Sequence, residues 1–455
     1  MGAQSENDLT SVEPPDPTRP ASVAPTEEQL EREAIRFSHK SAQPGHDPYA
    51  ALRYRDCRLY MIGWTVAVVG SQVQSVAIGW ELFRRTHSNM ALGWVGLVQA
   101  APVMLLSIPA GQLADRLDRR NILIFTQSCA ALCSIGLALL SIQQGSIGFM
   151  YGLLGLGAVF QAFGWPARAA LMTQTVPTEH FGNAMTWSSS AFQVAAVTGP
   201  AMGGLILLKS VPAAYLLDAS CQGAFALFLF LLVLRPALRS LEPANWRTVS
   251  AGIRFVQDHP MILAIMTLDL FAVLLGGATY LLPAFADTIL HVGAPGFGWL
   301  RAAPAVGAFV MAMVIAHRPP MKHAGGALLL AVAGFGVATI VFGLSKNFWL
   351  SLLMLGLTGA FDNVSVVVRH TLVQVLTPDE MRGRVSAVNN IFIGASNELG
   401  GFESGTTAKF FGPIASVVGG GIGTIAVVLG VMFLWPEVRR FGSLQQKPPQ
   451  YTTGS

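Results

Sequence analysis

Apolar stretches of about 20 residues recur along this chain from Leu59 to Trp435, and each is long enough to cross the hydrocarbon core of a bilayer. Only 12% of the 455 residues are charged and 52% are hydrophobic, too little charge to cover the surface of a soluble protein of this length. In lipid, every backbone polar group needs an internal partner, so such long stretches must be helical. The short alternating segments of a membrane β-barrel are not visible. The sequence therefore predicts an all-α membrane protein.

We predict twelve spans, at about 59–83, 92–114, 121–142, 147–170, 184–208, 211–234, 261–286, 294–316, 325–344, 347–369, 384–408 and 412–435. The connections are short except for 235–260, where Ile253, Phe255 and Val256 indicate an amphipathic surface helix over 246–257. This linker separates two six-helix halves, 51–234 and 261–436. The polar segment 1–50 is predicted to be a disordered cytoplasmic tail, and 437–455 a second cytoplasmic tail. Because the first apolar stretch begins only near Leu59, we expect no cleavable signal peptide.

The basic residues are divided unequally between the two sets of helix ends. One set carries 19 of the 29 Lys and Arg residues and the other carries 5, while Arg301 lies inside a span and 4 lie in the segment 1–50. Positive charge marks the cytoplasmic side, so we expect both termini in the cytoplasm. The same asymmetry explains the net charge of +4 without any binding to nucleic acid.

The two halves share an internal repeat. Four residue types recur with one offset of 201 positions, in the pairs Arg168 and Arg369, Pro177 and Pro378, Glu179 and Glu380, and Gly182 and Gly383. A single offset across four such residues is hard to obtain by chance. Parallel six-helix repeats with a binding site at their interface are a known transporter design.

The segment GQLADRLDRRN at 111–121 carries the sharpest motif. Gly111 permits close helix packing, Asp115 can cap or pair at a helix end, and Arg116, Arg119 and Arg120 can anchor the loop at an anionic membrane surface. The spacing resembles the signature of the major facilitator superfamily, although Asp118 stands where that superfamily usually has Gly. An ordinary basic cytoplasmic loop is the alternative interpretation. The resemblance implies the major facilitator fold, with twelve helices in a 6+6 pseudo-repeat.

Further motifs resemble particular branches of this superfamily. TGPAMGG at 198–204 is similar to its antiporter motif, in which Pro200 bends the helix and the glycines Gly199, Gly203 and Gly204 allow tight packing. Families that carry this motif are associated with export in exchange for protons. GWLRAAPAVGA at 298–308, TPDEMRGRVSAVNN at 377–390 and SNELGGFESG at 396–405 resemble the bacterial branch of siderophore exporters and macrolide-efflux-type proteins. This resemblance implies a multi-pass protein of the bacterial inner membrane.

Ionisable residues within the spans are the candidates for coupling transport to protons, because an unpaired charge in hydrocarbon is costly. They are Glu81, Asp218, Asp269, Arg301, Asp362, Glu398 and Glu403. The alternative is that the acids pair with Arg301 or bond between helices as structural groups. Glu398 and Glu403 lie five positions apart, about 140° around a helix, so both can face one cavity only if Gly400 and Gly401 distort that helix.

A central cavity is expected to be lined by Gln72, Gln74, Trp80, Asp269, Asp362, Asn389, Asn390 and Glu398. Acids outnumber bases at this depth in the second half, which favours a cationic or polar amphipathic substrate. The resemblance further implies an inner gate of ion pairs formed by Asp115, Arg168, Arg369 and Arg384, for which simple anchoring of basic residues is the alternative. The four cysteines are expected to be small packing residues.

The chain has no GxSxG, GxxxxGK[ST], HExxH or CxxC motif, so we predict neither an enzyme nor a metal or other cofactor. Without a nucleotide site, an ion gradient is the natural energy source. We therefore expect a monomeric, proton-linked exporter of a small amphipathic molecule that works in contact with membrane lipids and alternates access by rocking one half against the other. An importer or lipid flippase on the same scaffold, and a non-transporting scaffold or sensor, remain open alternatives.

Overall fold

The structure is a computed structural model that describes residues 47–234, 246–318, 323–440 and 442. The chain divides into the units Met1–Pro48 and Tyr49–Ser455, and every helix named below belongs to the second unit. Most of the predicted tails at 1–50 and 437–455 lies outside the described residues.

Six long helices make up the first half. They are α1 (Arg55–Thr86), α2 (Asn89–Arg116), α3 (Arg119–Ile142), α4 (Ile147–Thr175), α5 (Phe181–Ile206) and α6 (Val211–Phe230). A linker helix, α7 (Trp246–Asp258), follows at the predicted place and buries Val256 against the second half. The remaining long helices are α8 (Pro260–Leu275), α9 (Gly293–Ala316), α10 (Ala324–Leu344), α11 (Phe348–Leu376), α12 (Asp379–Phe411) and α13 (Pro413–Leu434), and a short helix Pro436–Arg440 comes last.

Ten of these helical segments are long and apolar enough to cross a membrane, as judged from the described residues. The helices α5 and α12, with 26 and 33 residues, have the length of a span but fall below the same apolar criterion. Polar residues such as Asn183, Ser190 and Glu398 dilute their hydropathy. An all-helical membrane protein is confirmed, while the number twelve stays a prediction.

The offset of 201 extends to the helix boundaries. The helix α4 spans residues 147–175 and α11 spans 348–376, so both ends differ by 201, and the starts of the other helix pairs differ by 198 to 205. Packing repeats as well, since α3 lies against α6 as α10 lies against α13, and α2 against α4 as α9 against α11. The two halves are therefore two copies of one helical arrangement.

We call the helix ends near Arg55, Arg116 and Arg119 the basic end and the opposite ends the distal end. The halves meet along two equivalent seams, α2 against α12 and α5 against α9. A Cβ atom built on Gly405 would lie 2.5 Å from the Cα of Gly93, and one on Gly298 would lie 2.8 Å from the Cα of Gly204. Both contacts lie toward the distal end, where the backbones approach too closely for any larger residue.

The helix predicted over 261–286 is interrupted, which differs from the continuous span expected from its sequence. The helix α8 ends at Leu275, and the chain continues through Gly276 and Gly277 into a 3₁₀ turn, a short α turn and a π turn that ends at Ile289. A Cβ atom on Gly277 would lie 2.5 Å from Ser404 Oγ and 2.6 Å from the Gly400 carbonyl. These glycines therefore let the broken segment press against α12, which itself runs without a break.

Candidate functional site

The signature loop is a sharp turn between α2 and α3. Asp118 is the N-cap of α3 and accepts a 2.8 Å hydrogen bond from the Arg120 backbone N–H, which gives a physical reason for Asp at this position. The Arg120 guanidinium donates to the Phe230 carbonyl at the end of α6. Gly111 lies in the last turns of α2, Arg116 is exposed and Arg119 is half-buried. The loop therefore ties the basic ends of three helices of the first half together.

The residues of the predicted gate are not joined in this conformation. Within the described part of the chain, no ion pair or hydrogen bond joins Asp115 to Arg168, Arg369 or Arg384. The Arg168 guanidinium lies over the Trp64 ring at 5.7 Å, and Tyr60 donates to the Arg168 carbonyl. Arg369 pairs with Asp269, whereas an Arg384 nitrogen lies 3.6 Å from the sulfur of Met381.

The antiporter-like motif packs on two neighbouring helices. Cβ atoms built on Gly199 and Gly203 would lie 2.5 Å from Gln72 Cβ and 3.1 Å from Val76 Cβ, both on α1. Gly204 instead meets α9 of the other half, and a Cβ atom on Gly298 would lie 2.6 Å from the Pro200 carbonyl oxygen. The motif therefore holds α5 to its own half and also forms part of the distal seam.

A cavity of about 770 Å³ lies between the halves. It extends from Trp64, Leu123 and Arg168 near the basic end to Gly79 and Leu92, beyond the middle of their helices. The first half supplies most of its wall, including six glutamines, Gln72, Gln74, Gln99, Gln127, Gln161 and Gln222. Aromatic side chains of both halves complete it, namely Trp64, Phe160, Trp165, Phe192, Tyr280 and Phe297. A space of this size suits a small organic molecule that offers both apolar surface and hydrogen-bonding groups.

A hydrogen-bond network holds Asp218 on the cavity wall. The carboxylate accepts from Ser134 Oγ at 2.6 Å and from Gln222 Nε2 at 3.0 Å. Gln74 donates to Ser134 Oγ, and Gln222 also donates to Ser71 Oγ, so α1, α3 and α6 share one network. The sequence interpretation did not include Ser134 or Gln222. The spacing of Asp218 and Gln222, one helical turn apart in an apolar segment, could have indicated their contact.

A second network spans the seam between the halves. Tyr280 donates a 2.5 Å hydrogen bond to Glu398, and the Arg301 guanidinium lies 5.9 Å from the centre of the Tyr280 ring. Arg301 also donates to the Thr279 carbonyl at 3.1 Å and to Ser75 Oγ on α1 at 3.3 Å. The Thr279 carbonyl can accept because the helix is broken there, the usual setting for irregular backbone within a membrane protein. The Gly276–Gly277 pair could have indicated this break, although the sequence interpretation did not include it.

Other predicted residues lie outside the cavity wall. Glu81 is buried at the distal end among Ser141, Tyr215 and Arg85, all within the first half. Glu403 bonds to Ser404 and Thr407 on its own helix, so Glu398 and Glu403 do point in different directions. Trp80 stacks on Phe297, and Asn389 is buried. The side chain of Asn390 lies outside the described residues.

Asp269 and Asp362 line a separate cavity of about 10 Å³ in the second half, together with Ser365, rather than the large cavity. Asp269 on α8 forms an ion pair with Arg369 on α11, and both side chains are buried. Asp362 lies two turns before Arg369 on the same face of α11. The predicted excess of acid in the large cavity is therefore not found, since Asp218 and Glu398 are matched there by Arg168 and Arg301.

Comparison with known proteins identifies the family. A sequence model described as "Transmembrane secretion effector" matches residues 46–452. The chain belongs to this family. The enterobactin exporter EntS of Escherichia coli O1:K1 is 26% identical to it over 391 residues, which cover 85% of this chain and 92% of the relative, and EntS of Shigella boydii serotype 18 matches equally well.

Solved structures share its fold. A bacterial homologue of the human lysosomal transporter Spinster, in an inward-facing and occupied conformation, superposes with a TM-score of 0.67 at 14% identity, covering 87% of this chain and 99% of the other. A peptide transporter POT gives 0.69 at 11% identity, covering 85% and 95% of the two chains. The nucleoside transporter NupG gives 0.66 at 13%, covering 84% and 99%. These likenesses show the major facilitator fold, and the family match over residues 46–452 makes the protein a transporter rather than an enzyme.

Proposed function

We propose that this protein exports a small amphipathic molecule across the bacterial inner membrane in exchange for protons, by rocking its two halves about the distal seams. The observation that carries the proposal is the 770 Å³ cavity between the halves. Its wall reaches the basic end, while the glycine contacts of both seams and the Arg84–Asp287 ion pair of 3.2 Å lie toward the distal end. In this proposal the protein spans the membrane twelve times as a monomer, with both termini cytoplasmic.

The distribution of basic residues supports an orientation with the basic end in the cytoplasm, so the cavity faces the cell interior. A cavity loaded from inside is the starting point of an export cycle. Met185 on α5 and Met313 on α9 are exposed near that end, as expected where the α5–α9 seam has separated. The similarity to enterobactin exporters also favours export over import.

The lining indicates the class of substrate. Glutamine amides both donate and accept hydrogen bonds, and aromatic rings offer flat apolar surface, so the wall suits a molecule that combines the two. Its charged groups are two acids and two arginines. A siderophore such as that of the enterobactin exporters, a drug or a metabolite satisfies these requirements. Proton exchange is supported by the antiporter-like motif at the seam and by buried acids in both halves.

The experiment is efflux from proteoliposomes that contain the purified protein, under an imposed pH gradient, with enterobactin and a panel of amphipathic drugs as substrates. Gly157 lines the cavity and a Cβ atom there meets nothing within 4 Å, so Gly157→Phe fills the cavity without a backbone clash. Gly223→Phe is the matched control, because Gly223 is exposed with equally open space. We expect Gly157→Phe to abolish gradient-driven efflux and Gly223→Phe to retain it.

The alternatives predict other results. Uptake in place of efflux under the same gradient indicates an importer, and movement of fluorescent phospholipid between leaflets indicates a flippase. If no substrate moves, and if Gly157→Phe binds the same molecules as the wild type, the protein is a scaffold or sensor and the proposal is wrong.

A further inference from the structure

The second half contains a charged cluster that the large cavity does not use, in which Asp269 and Arg369 are buried and Asp362 is half-buried. Asp269, Asp362 and Arg369 form it, and the first two line the cavity of about 10 Å³ between α8, α10 and α11. This volume is about that of one water-sized probe, which is too small for an organic substrate. Arg369 is 3% exposed, and its Nε atom is buried with no hydrogen-bond partner among the described residues.

The internal repeat shows how the same site has diverged in the first half. The helices α4 and α11 share the offset of 201, so Gln161, Gly164 and Arg168 are the counterparts of Asp362, Ser365 and Arg369. All three of these first-half residues lie on the wall of the large cavity. The first half thus presents these positions to the substrate space and keeps only the arginine. The second half encloses them, adds Asp362 and pairs the arginine with Asp269 of α8.

The charges of the cluster do not balance. Two carboxylates and one guanidinium give a net charge of −1, which one bound proton removes. The helices α10 and α13, which pack nearby, contain no ionisable residue. On α9, which packs on α11, Arg301 is bonded to Thr279 and Ser75, and on the short helix Pro436–Arg440 the residues Glu437 and Arg439 are exposed. On α12, Glu398 bonds to Tyr280, Glu403 to Ser404 and Thr407, and Arg382 to the Gln374 carbonyl, while Arg384 lies beside Met381. On α7, Arg254 and Asp258 are exposed. On α11 itself, His370 is next to Arg369 in sequence and is also exposed. An uncompensated charge at a buried site is costly, so the cluster favours a proton.

We propose that Asp269, Asp362 and Arg369 form the proton-binding site that drives transport, outside the substrate cavity. This inference rests on the proposed function and assigns its coupling ion to a place. One proton adds to a carboxylate oxygen of Asp269 or Asp362 to form a carboxyl group, and its release restores the carboxylate. When Asp269 holds the proton, its ion pair with Arg369 is broken and α8 is freed from α11. The break at Gly276–Gly277 lies two turns further along α8, next to the Thr279 and Tyr280 contacts of Arg301 and Glu398.

The test is infrared spectroscopy of the purified protein in lipid, in which the carbonyl stretch of a protonated carboxyl group is titrated against pH. Asp269→Asn and Asp362→Asn each leave one acid and one arginine, so both variants are charge-balanced and we expect each to lose the titrating band. Arg369→Gln leaves two acids without a base, so we expect its band to increase about twofold. Glu398→Gln and Glu403→Gln are the controls and should keep the wild-type band.

Three results overturn the inference. They are a band that survives both Asp269→Asn and Asp362→Asn, a band that disappears with Glu398→Gln, and a wild-type band displaced by sodium chloride but not by potassium chloride. The last of these indicates a sodium site.

The efflux assay separates this inference from the proposed function. Gradient-driven efflux that persists in both Asp variants refutes the site alone, whereas an intact cluster band without any gradient-driven efflux refutes the function alone.

Discussion

Gly298 offers a direct test of the distal seam as the closed end of the transporter. Its neighbours across the seam are backbone atoms of α5, namely the Pro200 carbonyl oxygen at 2.6 Å and the Gly204 Cα at 2.8 Å from an added Cβ. A carbon atom and a carbonyl oxygen ordinarily come no closer than about 3.3 Å, so Gly298→Ala must push the two helices about 0.7 Å apart. Backbone on both sides leaves no flexible side chain to absorb that shift.

Overpacking of this kind costs about 1–3 kcal/mol. The cost falls on the conformation in which the distal seam is closed, and it is relieved when the seam opens. A difference of this size changes an equilibrium between two conformations by about 5–150-fold. We therefore expect Gly298→Ala to move the population away from the state described here, toward one in which the basic ends have approached each other.

Spin labels at Met185→Cys on α5 and Met313→Cys on α9, in a background without the four native cysteines, report the separation of the basic ends. Gly298→Ala should transfer population from the long to the short distance. Gly223→Ala serves as the control, because its Cβ atom meets nothing within 4 Å. If Gly298→Ala lowers the thermal stability but gives the distance distribution of Gly223→Ala, the seam is ordinary packing and the reasoning fails.

Four further predictions concern other parts of the chain. Reporters fused at residues 20 and 450 should be active if they require the cytoplasm and inactive if they require the periplasm. Cleavage of either terminus by a protease added from the periplasmic side would contradict the orientation. Asp115→Asn should leave the melting temperature unchanged but alter thiol labelling at the basic end, whereas unchanged labelling and transport would remove Asp115 from the gate. Asp118→Ala should destabilise the start of α3 by about 0.5–2 kcal/mol, measured by hydrogen exchange, because the N-cap is lost. Tyr280→Phe should weaken substrate binding, measured by calorimetry, more than Tyr151→Phe, because only Tyr280 lines the cavity.

Much of the fold could be predicted from the sequence, because few structures satisfy all backbone hydrogen bonds within a lipid bilayer. The length of the apolar stretches predicted the helices, and the offset of 201 between Arg168 and Arg369 predicted that α4 and α11 are equivalent, which their boundaries confirm. The helices α5 and α12 were predicted as spans in the same way as the other ten, although they are less apolar. Their lower hydropathy fits their positions, since both lie at the seams and contribute Phe192 and Glu398 to the cavity.

The site was harder to predict because depth along a helix does not tell which way a side chain points. Asp269 and Glu398 were both expected to line the central cavity, yet Asp269 pairs with Arg369 on α11 away from it, and only Glu398 lies on its wall. Arg369 was assigned to a gate from its position near a helix end. Its partner is an acid 100 residues away, a contact that spacing within one helix cannot reveal.

The break after Leu275 connects these observations. A continuous helix would satisfy the Thr279 carbonyl internally and leave Arg301 with one partner fewer in a membrane interior, where an unpaired guanidinium is costly. Breaking the helix supplies that partner and places Tyr280 against Gly401, where only glycine fits, since a Cβ atom would lie 2.8 Å from the ring. The same segment contacts Glu398 in the cavity through Tyr280, and Asp269 of the charged cluster lies two turns before the break on α8. A change in charge at Asp269 can thus reach the substrate cavity through one short piece of chain whose helical hydrogen bonding is already interrupted.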